Sequence, residues 1–478
     1  MEKVKVKEEE LSDSETPIVK DKYWFQFVVA FSGTFCLLSA AVAFGWNSPA
    51  IPKLRLDDSP IPPITGDQSS WIVALMKVGS ISASFCAIWL MNKVGRKTLL
   101  LMASVPLIIS WILIGVAESI ALIYVSRILS GLAYGTSYSV LPMYLGEIAS
   151  NRIRGAISTL LTVMAKFGIL YAYSIGPYVS VRLMAWLSII PAGIFVATFI
   201  WLPESPYYLL VKNEREQARR SLTRLRQHEN VDEELERMSV AVKKSQENKG
   251  TFQELFFDET NRMSLIIIIG LATAQQLCGS QAIIAYSETI FKRVGSTLGA
   301  SESTIILGVV QLVSAAVSSS IVDIVGRRPL LLSSVIGAAV CNTVVGLYFF
   351  LERMEIDVTG IAWLPMLAIM VFIVMYTIGM ATVTFAILGE IIKINLKSVA
   401  GPTFTITGGA ISFIVVKLFQ VVSDDLGSDY TFWGFALLTY LFIPFVWFLI
   451  PETKGKSFEV ILDELNARYR KKKPMSSK

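Results

Sequence analysis

Twelve apolar runs, each about as long as a membrane is thick, dominate this 478-residue sequence. A helix needs roughly 20 apolar residues to cross the bilayer core, because it rises about 1.5 Å per residue. The pattern predicts an all-α integral membrane protein with twelve transmembrane helices. Six runs lie at 25–51, 71–91, 99–116, 121–145, 155–178 and 183–202, and six more lie at 263–290, 305–324, 330–351, 361–390, 399–422 and 430–450.

The low charge content of the chain agrees with that prediction. Only 17% of the residues are charged and 53% are hydrophobic, with a mean hydropathy of +0.56. A soluble protein has about a quarter of its residues charged. These values exclude a soluble enzyme, a disordered chain and a receptor with a single membrane anchor. The net charge of +5 is too small to indicate a nucleic acid or an acidic protein as a partner.

The basic residues predict how the chain lies in the membrane. Most of the 43 lysines and arginines fall in the termini, in the interval after the sixth run and in alternate short loops. Loops rich in lysine and arginine stay on the cytoplasmic side, so both termini are predicted to be cytoplasmic. The basic cluster at 468–473 is predicted to contact anionic lipid headgroups. The predicted parts are an N-terminal tail (1–24), a six-helix bundle (25–203), a helical linker (204–262), a second bundle (263–450) and a C-terminal tail (451–478).

Three short motifs occur twice, in the same order and about half a chain apart. Such an internal duplication predicts two pseudo-symmetric six-helix bundles around a central cavity. The matching motifs are Gly95-Arg96-Lys97 with Gly326-Arg327-Arg328, Gly146-Glu147-Ile148 with Gly389-Glu390-Ile391, and Pro203-Glu204-Ser205-Pro206 with Pro451-Glu452-Thr453-Lys454.

Charged residues in and beside these motifs are predicted to form an ion-pair network at the cytoplasmic helix ends. Pairs within and between the bundles would break and reform as the bundles rock, and would bias the conformational equilibrium. Simple anchoring of loops by positive charge is the alternative, but it does not require Glu147 or Glu390. The predicted members of the network are Arg96, Glu147, Arg154, Glu204, Asp323, Arg327, Glu390, Lys397 and Glu452.

As an ordered set, the motifs resemble those of the sugar porter family of the major facilitator superfamily. Further matches are Pro142-Met143-Tyr144-Leu145, Arg154-Gly155 and Gln275-Gln276-Leu277-Cys278-Gly279. Gly176-Pro177-Tyr178 and Pro206-Tyr207-Tyr208 are most similar to the insect facilitated trehalose transporter branch. The resemblance implies a major facilitator fold in the cell membrane, with a small sugar bound between the bundles and exposed alternately to each side.

The resemblance also implies a set of sugar-binding residues, most of them on the seventh helix. Gln275 and Gln276 match the family's paired glutamines, and an amide can both donate to and accept from a sugar hydroxyl. Gln281 and Gln311 stand where the family usually has asparagine, and Tyr286 matches a gating aromatic residue. The alternative role of the four amides is to hold helices together through hydrogen bonds.

Other positions depart from the family pattern and remove hydrogen-bonding groups. Thr162 replaces a glutamine of the sugar site, Phe385 replaces a tryptophan, and Gly408-Gly409 replaces an asparagine–tryptophan pair. These changes are expected to widen the site. Hexoses and trehalose-like disaccharides therefore both remain candidate substrates.

Asn47 bears on how transport is driven. Proton-driven relatives often have an aspartate in the first helix after an aromatic residue, and this chain has Phe44-Gly45-Trp46-Asn47. An amide does not release a proton in the working pH range, so facilitated diffusion is favoured over proton symport.

Lys166 is the least expected residue in the membrane part. It lies near the middle of the fifth run, where a charged side chain costs at least about 2.5–3.5 kcal/mol. It is predicted either to be paired or neutral, or to contact the substrate, with an anionic substrate as one possibility. Lys77 and Lys417 lie nearer the outer helix ends and are expected to snorkel to the surface. Arg127 matches a structural arginine of the family.

The sequence thus favours a facilitative sugar uniporter, and three alternatives remain. They are a transporter of the same fold for another polar or anionic solute, a proton-coupled sugar symporter, and a sugar sensor that does not transport. An enzyme is not expected, since the membrane part has no nucleophile–base pair. No cofactor or metal site is predicted, because the single histidine, His228, lies in the linker and the four cysteines lack metal-ligand spacing.

Overall fold

The computed structural model describes residues 23–57, 59–247, 252–257, 259–295, 298–392, 396–456, 460–461 and 464. Twelve of its helices are long and apolar enough to cross a membrane, which confirms the predicted number. The tail residues 1–22 and the basic cluster at 468–473 lie outside the described residues.

The first six membrane helices form the N-terminal bundle. Helix α1 is followed by a short helix, Asn47–Leu54, and the two form one continuous apolar span. Helix α2 begins with a capping box in which Thr65 and Gln68 exchange side-chain to backbone hydrogen bonds. The bounds are α1 Trp24–Gly45, α2 Gly66–Val94, α3 Arg96–Gly115, α4 Ile120–Ile148, α5 Arg154–Ile175 and α6 Val181–Phe199.

Four short helices lie between the two bundles in sequence. They cover Pro206–Val211, Arg215–Arg226, Asp232–Glu247 and Phe252–Phe257. Arg226 joins the second of them to the third and to the first bundle, since its guanidinium pairs with Glu234 at 2.7 Å and donates to the Ile148 carbonyl at 2.9 Å. The linker is therefore attached to the end of the first bundle where α4 ends.

The last six membrane helices form the C-terminal bundle, and two of them are interrupted. Helix α7 continues after Gly279 through two short helices, Ser280–Ala285 and Ser287–Val294. Helix α10 contains one π-helical segment, Thr377–Ala381, before it resumes as Thr382–Ile391. The bounds are α7 Glu259–Leu277, α8 Ala300–Val325, α9 Arg327–Arg353, α10 Leu364–Tyr376, α11 Lys397–Asp425 and α12 Ser428–Leu449.

Packing within the bundles repeats from one half of the chain to the other. In the first bundle α1 packs on α5, α2 on α4 and α3 on α6; in the second α7 packs on α11, α8 on α10 and α9 on α12. Between the bundles, α2 packs on α11 and α5 packs on α8. A pseudo-twofold operation that exchanges the halves exchanges these two contacts, so the bundles meet along two equivalent lines with a cleft between them.

Glycines bring α2 and α4 into close contact. A Cβ atom on Gly79 would lie 2.2 Å from the Ile128 carbonyl oxygen, and one on Gly131 would lie 2.2 Å from that of Met76. Helices in a membrane associate through such small residues, because the lipid gives little hydrophobic drive for them to pack together. Glycine at both positions therefore lets the backbones of α2 and α4 approach closely.

The two ends of the molecule differ in the segments that they carry. The motif end carries Gly95-Arg96-Lys97 and Gly326-Arg327-Arg328, and the opposite end carries the loop between α1 and α2 and the start of α12. The sequence predicts that the motif end is cytoplasmic.

Candidate functional site

The break in α7 places the predicted amides on the cleft. The chain passes through Gly279 at φ +84°, where a Cβ atom would lie 2.4 Å from the Phe435 ring. Asn342 donates to the Cys278 carbonyl at 3.0 Å and Ser280 donates to the Gln275 carbonyl at 3.1 Å. These bonds satisfy backbone groups that the break would leave unpaired in the membrane.

Gln275 and Gln276 lie together at the end of the first α7 segment. Gln276 donates through Nε2 to Oε1 of Gln275 at 3.2 Å, and Gln275 donates to the Met380 carbonyl of the π-helical segment at 3.4 Å. A Cβ atom on Gly408 would lie 3.6 Å from Nε2 of Gln276. The glycine of α11 therefore leaves open space beside the second amide, where a larger family residue would stand.

Gln281 accepts a hydrogen bond from Lys77 across the interface between the bundles. The distance from Nζ to Oε1 is 2.9 Å, and the same ammonium lies 4.6 Å from the centre of the Phe44 ring. Lys77 is only 7% exposed. The expectation that it snorkels was wrong, because it lies eleven residues, or about 16 Å, into α2 and is directed across the interface toward α7.

Tyr286 and Gln311 lie on the side of the cleft nearer the opposite end. Tyr286 is buried, stacks on Phe419 with ring centres 5.0 Å apart, and directs its hydroxyl at the Ser69 carbonyl 3.5 Å away. Gln311 is fully buried, and neither atom of its amide has a hydrogen-bond partner in the described part of the chain. Tyr173 on α5 donates instead to the Ile284 carbonyl at 2.6 Å. Gln311 is thus a buried amide close to the Tyr173 hydroxyl, without a hydrogen bond of normal geometry.

Thr162 and Phe385 lie toward the motif end. Thr162 is exposed and returns its hydroxyl to the Ser158 carbonyl at 3.3 Å. Phe385 is 60% exposed and contacts Phe404 edge-on at 5.4 Å. The structure does not bring either residue within hydrogen-bond distance of the α7 amides, as far as the described residues show.

Lys166 lies in the middle of α5, twelve residues from its start and nine from its end. It is half-buried and forms no hydrogen bond or ion pair with a described residue. Two residues on the same face, Leu170 and Tyr173, approach Gly308 of α8, where an added Cβ would lie 2.9 and 3.1 Å from them. Because residues four and seven apart share a helix face, Lys166 is on the cleft side of α5.

Asn47 and Arg127 lie inside the first bundle. The Asn47 amide donates to the Phe44 carbonyl at 2.9 Å. Arg127 is fully buried, donates to the Ala43 carbonyl at 2.9 Å, and lies 5.2 Å from the centre of the Trp46 ring. Among the described residues Arg127 has no carboxylate partner, since its hydrogen bonds go to carbonyls and a thioether.

At the opposite end the two bundles are joined by polar contacts. Ser48 and Ser287 share a hydrogen bond at 2.9 Å, and Arg55 pairs with Asp424 at 3.4 Å. Lys417 pairs with Asp67 and donates to Ser70 at 2.8 Å. These pairs were not predicted, because nothing in the sequence shows which residues from separate bundles meet.

At the motif end the ion pairs lie within each bundle. Arg96 pairs with Glu147 at 3.1 Å, and Arg327 pairs with Glu390 at 3.0 Å. Arg154 is exposed and forms no ion pair with a described residue. The side chains of Asp323 and Lys397 lie outside the described part of the structure. Four of the nine predicted members therefore form two matching ion pairs, one within each bundle.

The two remaining glutamates cap helices. Glu204 accepts hydrogen bonds from the Lys97 backbone N–H at 3.1 Å, and Glu452 accepts them from the Arg327 and Arg328 N–H groups at 3.1 Å. A carboxylate at a helix N-terminus also interacts favourably with the helix dipole. Burial acts to raise the pKa of Glu452, but hydrogen bonds from backbone N–H groups outweigh it and hold the pKa below its ordinary value.

Glycine in the repeated motifs allows this capping. Gly95 has φ +96° and Gly326 has φ +102°, values that favour glycine over other residues. A Cβ atom on Gly95 would lie 2.3 Å from Oε2 of Glu204. Glycine is therefore required in the motif for two reasons: the turn has a positive φ, and the carboxylate occupies the space that a Cβ atom would need.

The arrangement is that of a cleft closed at one end. Between described residues, the hydrogen bonds and ion pairs that join the bundles lie in the half nearer the opposite end. With the predicted orientation, this conformation is closed to the outside and directed toward the cytoplasm. The closed half contains Lys77, Gln281 and Tyr286.

The sequence matches a family of transporters over most of its length. A family model described as "Sugar (and other) transporter" matches residues 17–464. Facilitated trehalose transporter Tret1 of Bombyx mori is 29% identical over 455 residues, which are 95% of this chain and 89% of that one. The protein of the same name from Polypedilum vanderplanki is 29% identical over 450 residues, 93% of this chain and 89% of that one.

Among solved structures, the fold is similar to that of the xylose transporter XylE from E. coli. Its partially occluded inward open conformation has a TM-score of 0.76 at 20% identity, and the match covers 91% of this chain and all of that one. The proton:xylose symporter XylE bound to 6-bromo-6-deoxy-D-glucose has a TM-score of 0.74 at 21% identity, with 92% and 99% covered.

Proposed function

Because the chain belongs to the sugar transporter family, within the major facilitator superfamily and its twelve-helix fold, we propose that it is a facilitative sugar carrier. It is a multi-pass membrane protein of a family of transporters rather than enzymes. In the proposed reaction a sugar binds between the bundles and moves down its own gradient as the bundles alternate in exposure. The cell membrane is the proposed location.

The observation that carries this proposal is the group of three amides around the α7 break. Gln275 and Gln276 end the first α7 segment, and Gln281 near the start of the next reaches across to Lys77 of the first bundle. An amide matches a sugar hydroxyl as both donor and acceptor. The broken helix also supports the proposal, since transporter binding sites are often built on interrupted helices.

The substrate is proposed to be a hexose or a disaccharide of the size of trehalose. Gly408 leaves space beside Gln276, and toward the motif end Thr162 and Phe385 are smaller than the glutamine and tryptophan that they replace. The names of the insect relatives favour trehalose. A cleft widened by these smaller residues would accommodate a disaccharide as well as a hexose.

Transport is proposed to be uniport. Asn47 cannot carry a proton, and its amide is occupied by the Phe44 carbonyl. Arg127 has no carboxylate partner among the described residues, so the bundle around it offers no acid to protonate. A sugar gradient alone is then sufficient to drive net flux.

The proposal is tested by uptake into liposomes that contain the purified full-length protein. Labelled trehalose, glucose and fructose are supplied with and without a pH gradient. We expect saturable uptake of at least one of these sugars, unchanged when the pH gradient is removed. Uptake that disappears with the gradient would contradict uniport.

A matched pair of variants locates the site. Gln276→Ala should weaken sugar binding by about 1–3 kcal/mol, the cost of losing a buried hydrogen-bond partner. Gln253→Ala removes the same group from an exposed position in the linker and should leave binding unchanged. Equal affinity in the two variants would remove Gln276 from the site.

A further inference from the structure

The membrane interior of this protein contains cations without matching anions. Lys77, Arg127 and Lys166 lie well inside α2, α4 and α5. Among the described residues of the membrane helices, carboxylates lie within three residues of a helix end, apart from Glu288. That residue lies toward the opposite end and pairs with Lys292 at 3.7 Å. The middle of the first bundle thus has three positive side chains and no described negative one.

Arg127 is occupied within the first bundle, whereas the two lysines face the second. The Lys77 ammonium is held by Oε1 of Gln281 and by the faces of Phe44 and Tyr134, at 4.6 and 5.7 Å. All three of these groups are neutral. Hydrogen bonds that join two charged groups are stronger than those to a neutral amide. A negative group entering the cleft would therefore compete with Gln281 for Lys77.

Lys166 is on the cleft side of α5 and has no partner among the described residues. Its helix packs on α8, whereas the helix of Lys77 packs on α11. The two lysines thus belong to the two lines along which the bundles meet. Both project from the first bundle, and the amides Gln275, Gln276 and Gln281 project from the second.

We propose that the transported solute is a hydroxylated anion, that is, a sugar bearing a carboxylate or a phosphate group. Its negative charge is attracted by Lys77 and Lys166 from the two sides of the cleft, and its hydroxyls bind the amides of the second bundle. This inference rests on the proposed sugar transport and narrows its substrate class. No neutral sugar supplies a counter-charge for the two lysines.

The Lys77–Gln281 bond gives the anion a second effect. In the present conformation this bond joins the two bundles beside the binding site. An acid that takes over Lys77 releases Oε1 of Gln281, which then accepts from a hydroxyl of the same solute. The direct contact between the bundles is thereby replaced by a contact in which the solute binds Lys77 of one bundle and Gln281 of the other.

The test uses the full-length protein in liposomes with labelled gluconate, glucuronate, glucose 6-phosphate, glucose and trehalose. We expect saturable uptake of at least one acid, inhibited less by neutral sugars than by other acids. Because a net negative charge moves, an inside-positive potential, set by valinomycin with potassium outside, should increase the uptake. Gluconate and glucuronate against glucose 6-phosphate separate carboxylate from phosphate recognition.

Variants connect the selectivity to the two lysines. Lys77→Gln and Lys166→Gln should each lower the apparent affinity for the acid about ten- to hundredfold, a larger factor than for glucose. Lys166→Arg should retain acid uptake. Lys292→Gln removes a positive charge outside the cleft and serves as the control. Thermal stabilisation by the acid in detergent is measured on the same variants, so a variant that inserts poorly is still informative.

The outcomes distinguish this inference from the function on which it rests. Uptake of glucose or trehalose without uptake of, or inhibition by, any acid would overturn the anionic substrate and leave sugar uniport standing. Acid uptake that is unaffected in both lysine variants would also overturn it. Absence of uptake of every probe would contradict both proposals.

Discussion

The two ends of the molecule use ion pairs differently. At the motif end Arg96 and Glu147 belong to one bundle and are almost fully buried, with side chains 4% and 12% exposed. At the opposite end Arg55 and Asp424 belong to different bundles and are 28% and 30% exposed. The first kind of pair stabilises a bundle in every conformation, whereas the second kind must break whenever the opposite end opens. The difference indicates which charges act as structure and which act as a gate.

The largest expected effect comes from locking the opposite end with a covalent bond. The hydroxyls of Ser48 and Ser287 are 2.9 Å apart across the bundles, so the double variant Ser48→Cys, Ser287→Cys should form a disulfide. Transport in liposomes should then be abolished and return when a reductant is added. Full transport by the oxidised protein would show that the bundles do not separate there.

The matched control lies within the second bundle. Ser423 and Ser428 are also 2.9 Å apart, but both belong to the C-terminal half. A disulfide between cysteines at these two positions should leave transport largely intact. Loss of transport in this variant would mean that oxidation itself, rather than the bridge between bundles, is responsible.

The second effect tests whether the motif-end pairs are structural. Glu147→Gln leaves the buried Arg96 without its carboxylate, which should lower the free energy of unfolding by about 3 kcal/mol. Chemical unfolding in detergent measures this, with Glu236→Gln as the control. Glu236 pairs with Arg215 on the linker surface and should contribute less than about 1 kcal/mol. Equal losses in the two variants would contradict the distinction.

The third effect concerns the helix cap at Glu452 and its pH dependence. Its pKa in the folded state lies below the ordinary value. The ionised carboxylate therefore stabilises the folded state at any pH above its unfolded pKa, and this stabilisation is lost as the pH falls through the folded pKa. Glu452→Gln should cost about 1 kcal/mol at pH 7, as for other lost caps. Unfolding curves of the two proteins should converge below about pH 4. A difference that persists in acid would rule out the charged cap.

The smallest effect is a shift of the conformational equilibrium. Asp424→Asn removes the partner of Arg55 and Arg293. Partly exposed ion pairs contribute about 1 kcal/mol or less. The ratio of open to closed protein at the opposite end should therefore rise by about fivefold or less. Thr162→Cys reports this as slower alkylation, in a background where the exposed Cys86 is serine. Asp232→Asn, in the linker, should not alter the rate. An unchanged rate in Asp424→Asn would remove this pair from the gate.

The fold was predictable because its signals are local and repeated. Apolar runs fix the twelve helices, and the motif pairs at Arg96 and Arg327 indicate the two halves. The glutamates of the motifs were predicted to form ion pairs, and for Glu147 and Glu390 the structure shows them. Their partners lie in the same bundle because the end of α4 lies beside the start of α3, and the end of α10 lies beside the start of α9.

The candidate site was predictable only in part. The α7 amides follow from the resemblance, but the position of Lys77 does not, because sequence distance from a helix end does not show which way a side chain points. Its bond to Gln281 joins residues 204 positions apart. The gate at Ser48, Asp67 and Asp424 was likewise missed, since each partner comes from the other bundle.

The partial exposure of the gate pairs has a consequence for the medium around the protein. Salt weakens the interaction between charges that are exposed to water, with a screening length of about 8 Å at physiological ionic strength. It has little effect on a buried pair such as Arg96–Glu147. Higher ionic strength on the side of the membrane that faces the opposite end should therefore favour opening of that end. The same salt on the side that faces the motif end should not. Vesicles with unequal salt inside and outside would measure this asymmetry, and the carrier would then report the composition of one compartment through its turnover rate.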